Sequence, residues 1–344
     1  MKKSKKKWLI TTVVVLGVIL AGGCLVARHY LYAKMTTSKE KVYVYIDRDD
    51  TVDSVMHKVE AVADPAAMAG FRKAVDIKDY AGNVKRGRYE LNEGTTAWSF
   101  ANTLLRGEQT PLNVPVPSVR TLDRLASAVG KKLELDSLEL LKKITDPAVC
   151  KKYGYEPHTI AGMFIPDSYN MYWTVSIDEF LDRMKQECDK FWTDERKSKA
   201  KEIGLTQNEV VTLASIVTEE TRNTAEKPTI AGLYINRLHK NMLLQSDPTV
   251  KFALKDFAAR RIYNRMLTVD DPYNTYKYAG LPPGPIKIPM KEDIDAVLNY
   301  QHHDYLYMCA KEDFSGTHNY ARNLSEHQAN AQRYYRALNE RGIK

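Results

Sequence analysis

Residues 205–254 read LTQNEVVTLASIVTEETRNTAEKPTIAGLYINRLHKNMLLQSDPTVKFAL. The pattern of this stretch predicts two helices joined by a short turn and followed by a polar loop. Thr206 is a suitable N-cap for the first helix, and Glu209 completes a capping box three residues later. The second helix, around residues 230–238, is amphipathic and is expected to pack against the first.

The first helix carries an apolar stripe that ends in a carboxyl group. Leu213, Ile216, Val217 and Glu220 follow the spacing i, i+3, i+4 and i+7, which places them on one helical face. Withdrawal of this carboxyl group from water would raise its pKa. A carboxylic acid that stays protonated near neutral pH is what a general acid for glycoside cleavage needs. The alternative is a solvated glutamate that pairs with a neighbour such as Arg222.

Two polar segments follow these helices. Residues 245–249, Gln-Ser-Asp-Pro-Thr, are dense in the hydrogen-bonding groups that sugar recognition needs to orient hydroxyls and acetamides. Asp247 and Pro248 equally suit a helix N-cap and its first-turn proline. Residues 273–276, Tyr-Asn-Thr-Tyr, offer two aromatic rings for stacking on pyranose faces, with polar neighbours for the ring edges.

Five blocks of sequence carry a family resemblance. They are LASIVTEET at 213–221, INRL at 235–238, LQSDPTV at 244–250, YNTY at 273–276 and GLPPGPI at 280–286. In this order they resemble the endolytic murein transglycosylase family, the YceG-like lytic transglycosylases. The family's catalytic glutamate directly precedes a threonine, which places that role on Glu220. Many members carry a glutamate where this chain has Thr218, so Glu220 is the single candidate. Glu219 points about 100° away around the helix and is expected at the surface.

The resemblance implies an endolytic enzyme that cleaves the β-1,4 bond between N-acetylmuramic acid (MurNAc) and N-acetylglucosamine (GlcNAc) in peptidoglycan. Glu220 would protonate the glycosidic oxygen and then act as base on the C6 hydroxyl of the same muramyl sugar. The product is a 1,6-anhydromuramyl end. Because the nucleophile belongs to the substrate, no second carboxylate is required, unlike in most glycoside hydrolases. No cofactor and no metal are implied.

A further block, Gly-Thr-His-Asn-Tyr at 316–320, is similar to a Gly-His-x-Phe block of the family. A structural role for its histidine is the alternative. With the polar segments, the expected substrate-binding residues are Gln245, Ser246, Asp247, Thr249, Tyr273, Asn274, Tyr276, His318 and Asn319.

Two other functions stay open. One is a lysozyme-type muramidase, which needs a second acid, and Asp247 is the candidate for it. The other is a membrane-anchored peptidoglycan-binding scaffold without catalysis. Two departures from the family pattern keep the scaffold alternative open. One is Thr218, and the other is Pro117-Ser118, which replaces the family's Glu-Gly.

The expected fold class is α+β. The predicted segments are a cytoplasmic basic tail at 1–7, a transmembrane anchor at 8–27, a linker at 28–40, a LysM-like module at 41–117 and a catalytic transglycosylase domain at 118–344. The module reads as strand, helix, helix and strand, which resembles the LysM-like region of the family; a spacer without its own ligand is the alternative. Residues 122–144 and 176–204 each predict a continuous helical stretch.

The N-terminal segment predicts the location. Trp8–Ala27 is free of charge and long enough to cross a bilayer. The five lysines in residues 2–7 favour a cytoplasmic N-terminus, and hence a single-pass protein of the cytoplasmic membrane with its catalytic domain outside. A cleaved signal peptide is the alternative. Nascent glycan strands are the expected substrate, and cell-wall synthases are candidate partners.

Charge and cysteine content exclude other classes. The net charge is +8, but residues 1–34 hold seven basic and no acidic residues, so the remainder carries +1 and no nucleic acid is expected. Beyond Cys24, the three cysteines Cys150, Cys188 and Cys309 favour buried thiols over a disulfide framework. The histidines show no metal-binding spacing.

Overall fold

The structure is a computed structural model that describes residues 2–259 and 261–342, with side chains from residue 7 onward. Most lysine side chains of the predicted basic tail, at positions 2–6, lie outside the described residues. The chain forms two compact units, one of residues 1–113 and 170–175 and the other of residues 114–169 and 176–344. Both helices and sheets occur, as the α+β prediction requires.

The first unit combines the apolar helix with a small α+β fold. Its principal elements are α1 (Lys2–Leu31), β1 (Val42–Ile46), α2 (Val52–Glu60), α3 (Pro65–Ile77), β2 (Gly87–Leu91) and α4 (Ala97–Arg106). The two strands pair antiparallel along their whole length. The core of the unit buries Phe71, Tyr89 and Phe100 completely. The order strand, helix, helix, strand is the predicted one.

The N-terminal helix is longer than the predicted anchor. It continues to Leu31, so the first four residues of the predicted linker 28–40 are helical. The physical reason is that residues 28–31, Arg-His-Tyr-Leu, include no helix-breaking residue. The last turn of α1 also packs on α3. A Cβ atom at Gly70 would lie 2.0 Å from the carbonyl oxygen of Tyr30, so this close approach requires glycine.

The second unit is mainly helical. The remaining elements are β3 (Leu112–Val116), α5 (Leu122–Gly130), α6 (Ser137–Ile144), α7 (Pro147–Lys152), β4 (Asp167–Met171), α8 (Ile177–Phe191), α9 (Asp194–Ile203), α10 (Gln207–Glu220), α11 (Lys227–His239), α12 (Asp247–Leu254), α13 (Lys291–Leu298), β5 (Tyr307–Ala310), β6 (His318–Ala321) and α14 (Leu324–Glu340). β3 pairs with β4, and β5 pairs antiparallel with β6.

Two predicted helical stretches are divided in the structure. Residues 122–144 form α5 and α6, because α5 ends at Gly130 and Asp136 caps a new helix with its carboxylate. Residues 176–204 form α8 and α9, because Thr193 caps a second helix there. Capping side chains compete with helix continuation, and a pattern of apolar residues alone does not reveal which of the two prevails.

Helix α10 lies at the centre of the second unit and packs against α11 and α13. Residues 210–217 are all buried. Lys227 Nζ on α11 lies 2.5 Å from Oδ1 of the fully buried Asp293 on α13, which ties these helices together. Ser215 Oγ on α10 accepts a hydrogen bond of 3.0 Å from the amide of Ile286, which fixes the GLPPGPI loop to the same helix.

Candidate active site

Helix α10 delivers Glu220 to the site. The predicted capping box is present: the Glu209 amide donates to Thr206 Oγ1 at 3.3 Å, and the Thr206 amide donates to Glu209 Oε2 at 2.7 Å. The helix ends at Glu220 because Thr221 has extended backbone angles, φ −141° and ψ 142°. The carboxyl group therefore stands at the C-terminal end of a helix, where the helix dipole disfavours negative charge.

Two hydroxyl groups bind one oxygen of Glu220. Tyr234 Oη on α11 donates to Oε1 at 2.7 Å, and Ser246 Oγ at the start of α12 donates to the same oxygen at 2.5 Å. In the part of the chain that the structure describes, Oε2 has no hydrogen-bond partner within the protein. This second oxygen is therefore available to a ligand.

Ser246 occupies the N-cap position of α12 but does not cap it. Its side chain makes no capping hydrogen bond, because the hydroxyl is turned to Glu220 instead. The N-cap thus lies one residue before Asp247, which suited this position in the sequence and is the first residue of the helix. A serine at this position usually caps the helix with its side chain, but here the side chain binds a carboxyl group.

The loop before α12 is held by neighbours from distant segments. Gln245 has φ +52°, in the left-handed region that non-glycine residues seldom occupy. Its amide donates to the carbonyl of Thr275 at 3.0 Å, and the Ser246 amide donates to the Thr275 hydroxyl at 3.0 Å. Arg237 Nη1 donates to the carbonyls of residues 243 and 244 at 3.0 and 2.8 Å. These contacts fix the position from which the serine reaches Glu220.

A cavity of about 290 Å³ lies beside the carboxyl group. It is lined by Glu220, Leu233, Tyr234, Arg237, Leu244, Gln245, Asp247, Tyr276, Met308, Cys309, Ala310 and His318. The structure therefore brings together five of the predicted site residues, namely Glu220, Gln245, Asp247, Tyr276 and His318. Most of the wall is polar or aromatic, which suits a sugar.

Burial is the main reason why the pKa of Glu220 lies above its ordinary value. The hydroxyl donors Ser246 and Tyr234 lower this pKa, because they stabilise the charged form. The charge of Asp247 raises the pKa of Glu220, and His318 lowers this pKa when its ring is protonated. Because the raising effects prevail, Glu220 stays protonated to a higher pH than a solvated glutamate.

Two predicted substrate-binding residues use their polar groups inside the protein. Asn274 is fully buried, and its Nδ2 donates to the carbonyls of Leu267 and Val269 at 2.8 Å each. Thr249 Oγ1 donates to the Ser246 carbonyl at 2.7 Å. Both side chains shape the loops that carry the cavity wall, and substrate contact by either one stays a prediction.

The last two predicted residues also lie outside the cavity lining. The Tyr273 ring packs on Phe252 with ring centres 4.7 Å apart. Asn319 Nδ2 donates to Glu312 at 2.6 Å. Their contacts with substrate likewise stay predictions.

Sequence reasoning missed Tyr234 as a site residue. Its place on the apolar face of α11 predicts core packing, and the ring is indeed buried. The available signal was a hydroxyl group on the face of α11 that packs against the helix ending in Glu220. A buried tyrosine hydroxyl usually finds a partner, and here that partner is the carboxyl group.

Glu219 does not lie at the surface, so that expectation was wrong. Its side chain is only 12% exposed, and it binds Arg120 at 2.6 Å and Lys287 at 3.0 Å. Burial raises the pKa of this carboxyl group, but the hydrogen bonds and charges of the two cations outweigh burial and bring the pKa below its ordinary value. Adjacent glutamates therefore have opposite pKa shifts, because the two cations outweigh the effect of burial at Glu219, whereas the two hydroxyl donors do not outweigh it at Glu220.

Among the described residues, no group of His, Cys, Asp and Glu is arranged to hold a metal ion. Cys150 and Cys188 are buried free thiols, and Cys309 is a free thiol in the cavity wall.

The match to a family model covers residues 44–333, and that model describes the YceG-like family. The chain belongs to the YceG-like family. The resemblance carried by the five sequence blocks is thereby confirmed. Because the matched range includes residues of both compact units, membership applies to more than the helix that carries Glu220.

Named relatives are similar over most of this YceG-like chain. The endolytic murein transglycosylase of Bacillus subtilis (strain 168) is 27% identical, over 94% of this chain and 93% of that protein. The protein of the same name from Streptococcus pneumoniae serotype 2 is 27% identical over 94% of this chain, which spans 64% of the pneumococcal protein. A crystal structure of a YceG-like protein from Listeria monocytogenes aligns with a TM-score of 0.56 and 27% identity, over 85% of this chain and 99% of that one.

Proposed function

We propose that this YceG-like protein is an endolytic lytic transglycosylase that cuts peptidoglycan glycan strands. The observation that carries the proposal is the carboxyl group of Glu220 in its cavity. Burial raises its pKa, Ser246 and Tyr234 bind one oxygen, and the other oxygen is available. The relatives named endolytic murein transglycosylases support the same reaction class.

The proposed reaction uses Glu220 twice. The protonated carboxyl group donates its proton to the oxygen of the β-1,4 bond, the bond to the MurNAc anomeric carbon breaks, and the GlcNAc leaves with a hydroxyl group. The carboxylate then accepts the proton of the MurNAc C6 hydroxyl as that oxygen attacks the anomeric carbon. The donors Ser246 and Tyr234 stabilise the carboxylate between these steps. The products are a 1,6-anhydromuramyl end and a re-protonated Glu220.

A muramidase of lysozyme type is the second candidate, because Asp247 lines the same cavity. Tyr276 Oη donates to Asp247 Oδ1 at 2.6 Å, which holds this carboxylate in the wall. An acid and a carboxylate at one sugar are sufficient for hydrolysis. Hydrolysis would leave a reducing MurNAc end instead of an anhydro end.

Product analysis tests the proposal. Purified peptidoglycan is incubated with the full chain in detergent, and the released fragments are identified by mass spectrometry. The expected products are internal fragments with 1,6-anhydromuramyl ends, which are lighter by one water than hydrolysis products. Reducing ends would favour the muramidase, and intact strands that still bind the protein would favour a scaffold.

The pH dependence of cleavage should respond in opposite directions to two neighbouring substitutions. Glu220 must be protonated to start the reaction, so activity falls as pH rises through its pKa. Ser246→Ala removes a donor to the carboxylate, so the pKa of Glu220 rises and the alkaline limb of kcat/KM moves to higher pH. Asp247→Asn removes a negative charge, so that limb moves to lower pH.

Tyr234→Phe is the matched variant for the first direction, because it also removes a donor to Glu220 Oε1. Its alkaline limb should move upward, as in Ser246→Ala. Movement of all three limbs in one direction would show that another group sets this part of the pH profile.

We further propose that α1 anchors the protein in the cytoplasmic membrane, with the rest of the first unit and the whole second unit outside. Residues 7–31 form a helix that is long and apolar enough to cross a bilayer, and its apolar side chains are exposed, Trp8 by 73% and Leu20 by 68%. The basic residues at 2–7 favour this orientation. In spheroplasts, external protease should remove a C-terminal tag and spare an N-terminal one. The opposite pattern would exclude the orientation.

The first unit contains the region proposed as LysM-like, residues 41–117, whose proposed ligand is the glycan strand. The observed order of β1, α2, α3 and β2 supports this proposal. Nascent strands are the proposed substrate because the anchor places the protein beside the membrane, and cell-wall synthases are the proposed partners. Co-purification of a synthase with the full chain, and its loss when α1 is exchanged for another span, would test that partnership.

A further inference from the structure

Glu226 and His318 form a pair at the edge of the cavity that the proposed reaction does not use. Glu226 lies in a short turn between α10 and α11 and is 9% exposed. Its Oε1 accepts hydrogen bonds from the His318 amide at 2.8 Å and from Tyr320 Oη at 3.0 Å. Its Oε2 lies 3.2 Å from His318 Nδ1 and 3.4 Å from Thr221 Oγ1. Among the described residues, each hydrogen-bonding neighbour of this carboxylate is therefore a donor or a group that can become one.

This geometry decides which ring nitrogen of neutral His318 carries the proton. An unprotonated Nδ1 would place its lone pair against a carboxylate oxygen, whereas a protonated Nδ1 donates to that oxygen. The neutral ring is therefore protonated on Nδ1, and Nε2 keeps its lone pair. Among the described residues, Nε2 has no hydrogen-bond partner within the protein, although His318 lines the cavity beside Glu220.

Among the charged and titratable groups around His318, Glu226 is the one that is hydrogen-bonded to its ring in the described structure. The other charged or titratable groups in the cavity wall are Glu220, Tyr234, Arg237, Asp247, Tyr276 and Cys309. None of them is hydrogen-bonded to the His318 ring in the described structure, whereas Glu226 binds both its Nδ1 and its backbone amide. Tyr320, two residues along β6, binds the same carboxylate from the other side.

We propose that Glu226 is a positioning residue that holds His318 with its proton on Nδ1 and its Nε2 presented to the substrate cavity. Nε2 then accepts a hydrogen bond from a hydroxyl group or an acetamide N–H of the sugar bound beside Glu220. The identity of this ligand rests on the proposed function, whereas the state of the imidazole ring does not. In this arrangement the pair orients the substrate, and Glu220 performs the chemistry.

The ring state can be measured directly. Magic-angle-spinning NMR of the full chain in lipid bilayers, labelled with 15N-histidine, distinguishes a protonated Nδ1 from a protonated Nε2. The difference from His318→Gln assigns the signal among the eight histidines. At a pH where the ring is neutral, the wild type should show the proton on Nδ1. In Glu226→Gln the amide NH2 faces Nδ1, so the proton should move to Nε2.

Tyr320→Phe is the matched control for this measurement. It removes a donor to Glu226 Oε1 and leaves the contact between Oε2 and His318 Nδ1. The wild-type ring state should persist in this variant. A proton on Nε2 in the wild type, or the same ring state in Glu226→Gln, would overturn the proposal.

Kinetics test whether Glu226 acts through the ring. Glu226→Gln should cleave glycan strands about tenfold to a hundredfold less efficiently, a loss similar to that caused by removing the partner that orients a metal-binding histidine. Because substrate is misplaced, KM should rise along with any fall in kcat. The double variant Glu226→Gln/His318→Gln should be no worse than His318→Gln alone. Independent, additive losses would show a general structural role and contradict the proposal.

The proposed function and the positioning role of Glu226 can be contradicted independently of each other. If the wild type leaves glycan strands uncut while the NMR signals show the expected change of ring state, the proposed function fails and the positioning of His318 stands. If cleavage gives anhydromuramyl ends but the ring state does not respond to Glu226→Gln, the positioning role fails and the proposed function stands. Unchanged melting temperatures in the variants confirm that each one is folded.

Discussion

Replacement of Glu220 by glutamine should lower the rate of glycan cleavage by about 10²–10⁴-fold, the range expected for loss of general acid catalysis. Glutamine keeps the size of the side chain, and its amide oxygen can still accept from Tyr234 and Ser246. It cannot donate a proton to the glycosidic oxygen. The measurement is the rate of release of anhydromuramyl fragments by the full chain in detergent, with binding to strands measured in parallel.

Glu219→Gln is the matched control, because it makes the same change on the adjacent residue. Glu219 pairs with Arg120 and Lys287 and faces away from the cavity lining. Cleavage by this variant should stay within about tenfold of the wild type, since loss of a partly exposed ion pair is worth about 1 kcal/mol. Equal cutting by Glu220→Gln and the wild type would exclude Glu220 as the acid.

The same Glu220→Gln variant should also be more stable than the wild type at alkaline pH. The pKa of Glu220 is raised in the folded state, so ionisation at higher pH favours unfolding, and the stabilising contribution of the neutral acid is lost as pH rises through the folded pKa. Glutamine cannot ionise. The difference in melting temperature, variant minus wild type, should therefore increase with pH in scanning calorimetry. A constant difference would contradict the raised pKa.

Asp293→Ala should destabilise the second unit by about 3–5 kcal/mol, the cost of leaving one partner of a buried ion pair unpaired. Asp293 is fully buried, and Lys227, its partner on α11, is 9% exposed. Asp293 Oδ2 also accepts a hydrogen bond of 2.8 Å from the Met290 amide at the start of α13. Faster hydrogen exchange should be confined mainly to α10, α11 and α13, and mass spectrometry of peptides resolves these segments.

Asp295→Ala on the same helix is the control for Asp293→Ala. Asp295 pairs with Arg196 at 2.8 Å, but both side chains are partly exposed, 37% and 28%. Ion pairs of this kind contribute about 0–1 kcal/mol. Similar effects of the two substitutions on hydrogen exchange would indicate that burial of Asp293 does not set the strength of its pair.

Features that depend on neighbours within one helix could be predicted from sequence. The capping box of Thr206 and Glu209 and the buried stripe that ends in Glu220 need only the helical repeat, and the structure contains them as expected. The alternation of residues 42–46 likewise indicates strand β1, whereas the antiparallel pairing of β1 with β2 does not follow from that pattern.

Features that depend on distant partners could not be predicted in this way. The environment of Glu219 comes from Arg120, which is 99 positions away in the chain, and no spacing rule connects the two. The sequence predicted a sugar contact for Ser246, and no spacing rule indicated that its hydroxyl binds Glu220, which lies 26 positions away. The pair of Glu226 and His318 is likewise separated by 92 positions.

The orientation of Ser246 implies a conflict between thermal stability and the rate of glycan cleavage. A serine that capped α12 would strengthen the helix by about 1 kcal/mol, but this hydroxyl binds the Glu220 carboxyl group instead. Selection for heat resistance alone should therefore favour variants in which the side chain at position 246 caps α12. Such variants would last longer and work more slowly, so a directed-evolution programme for this protein has to select for cutting at every round.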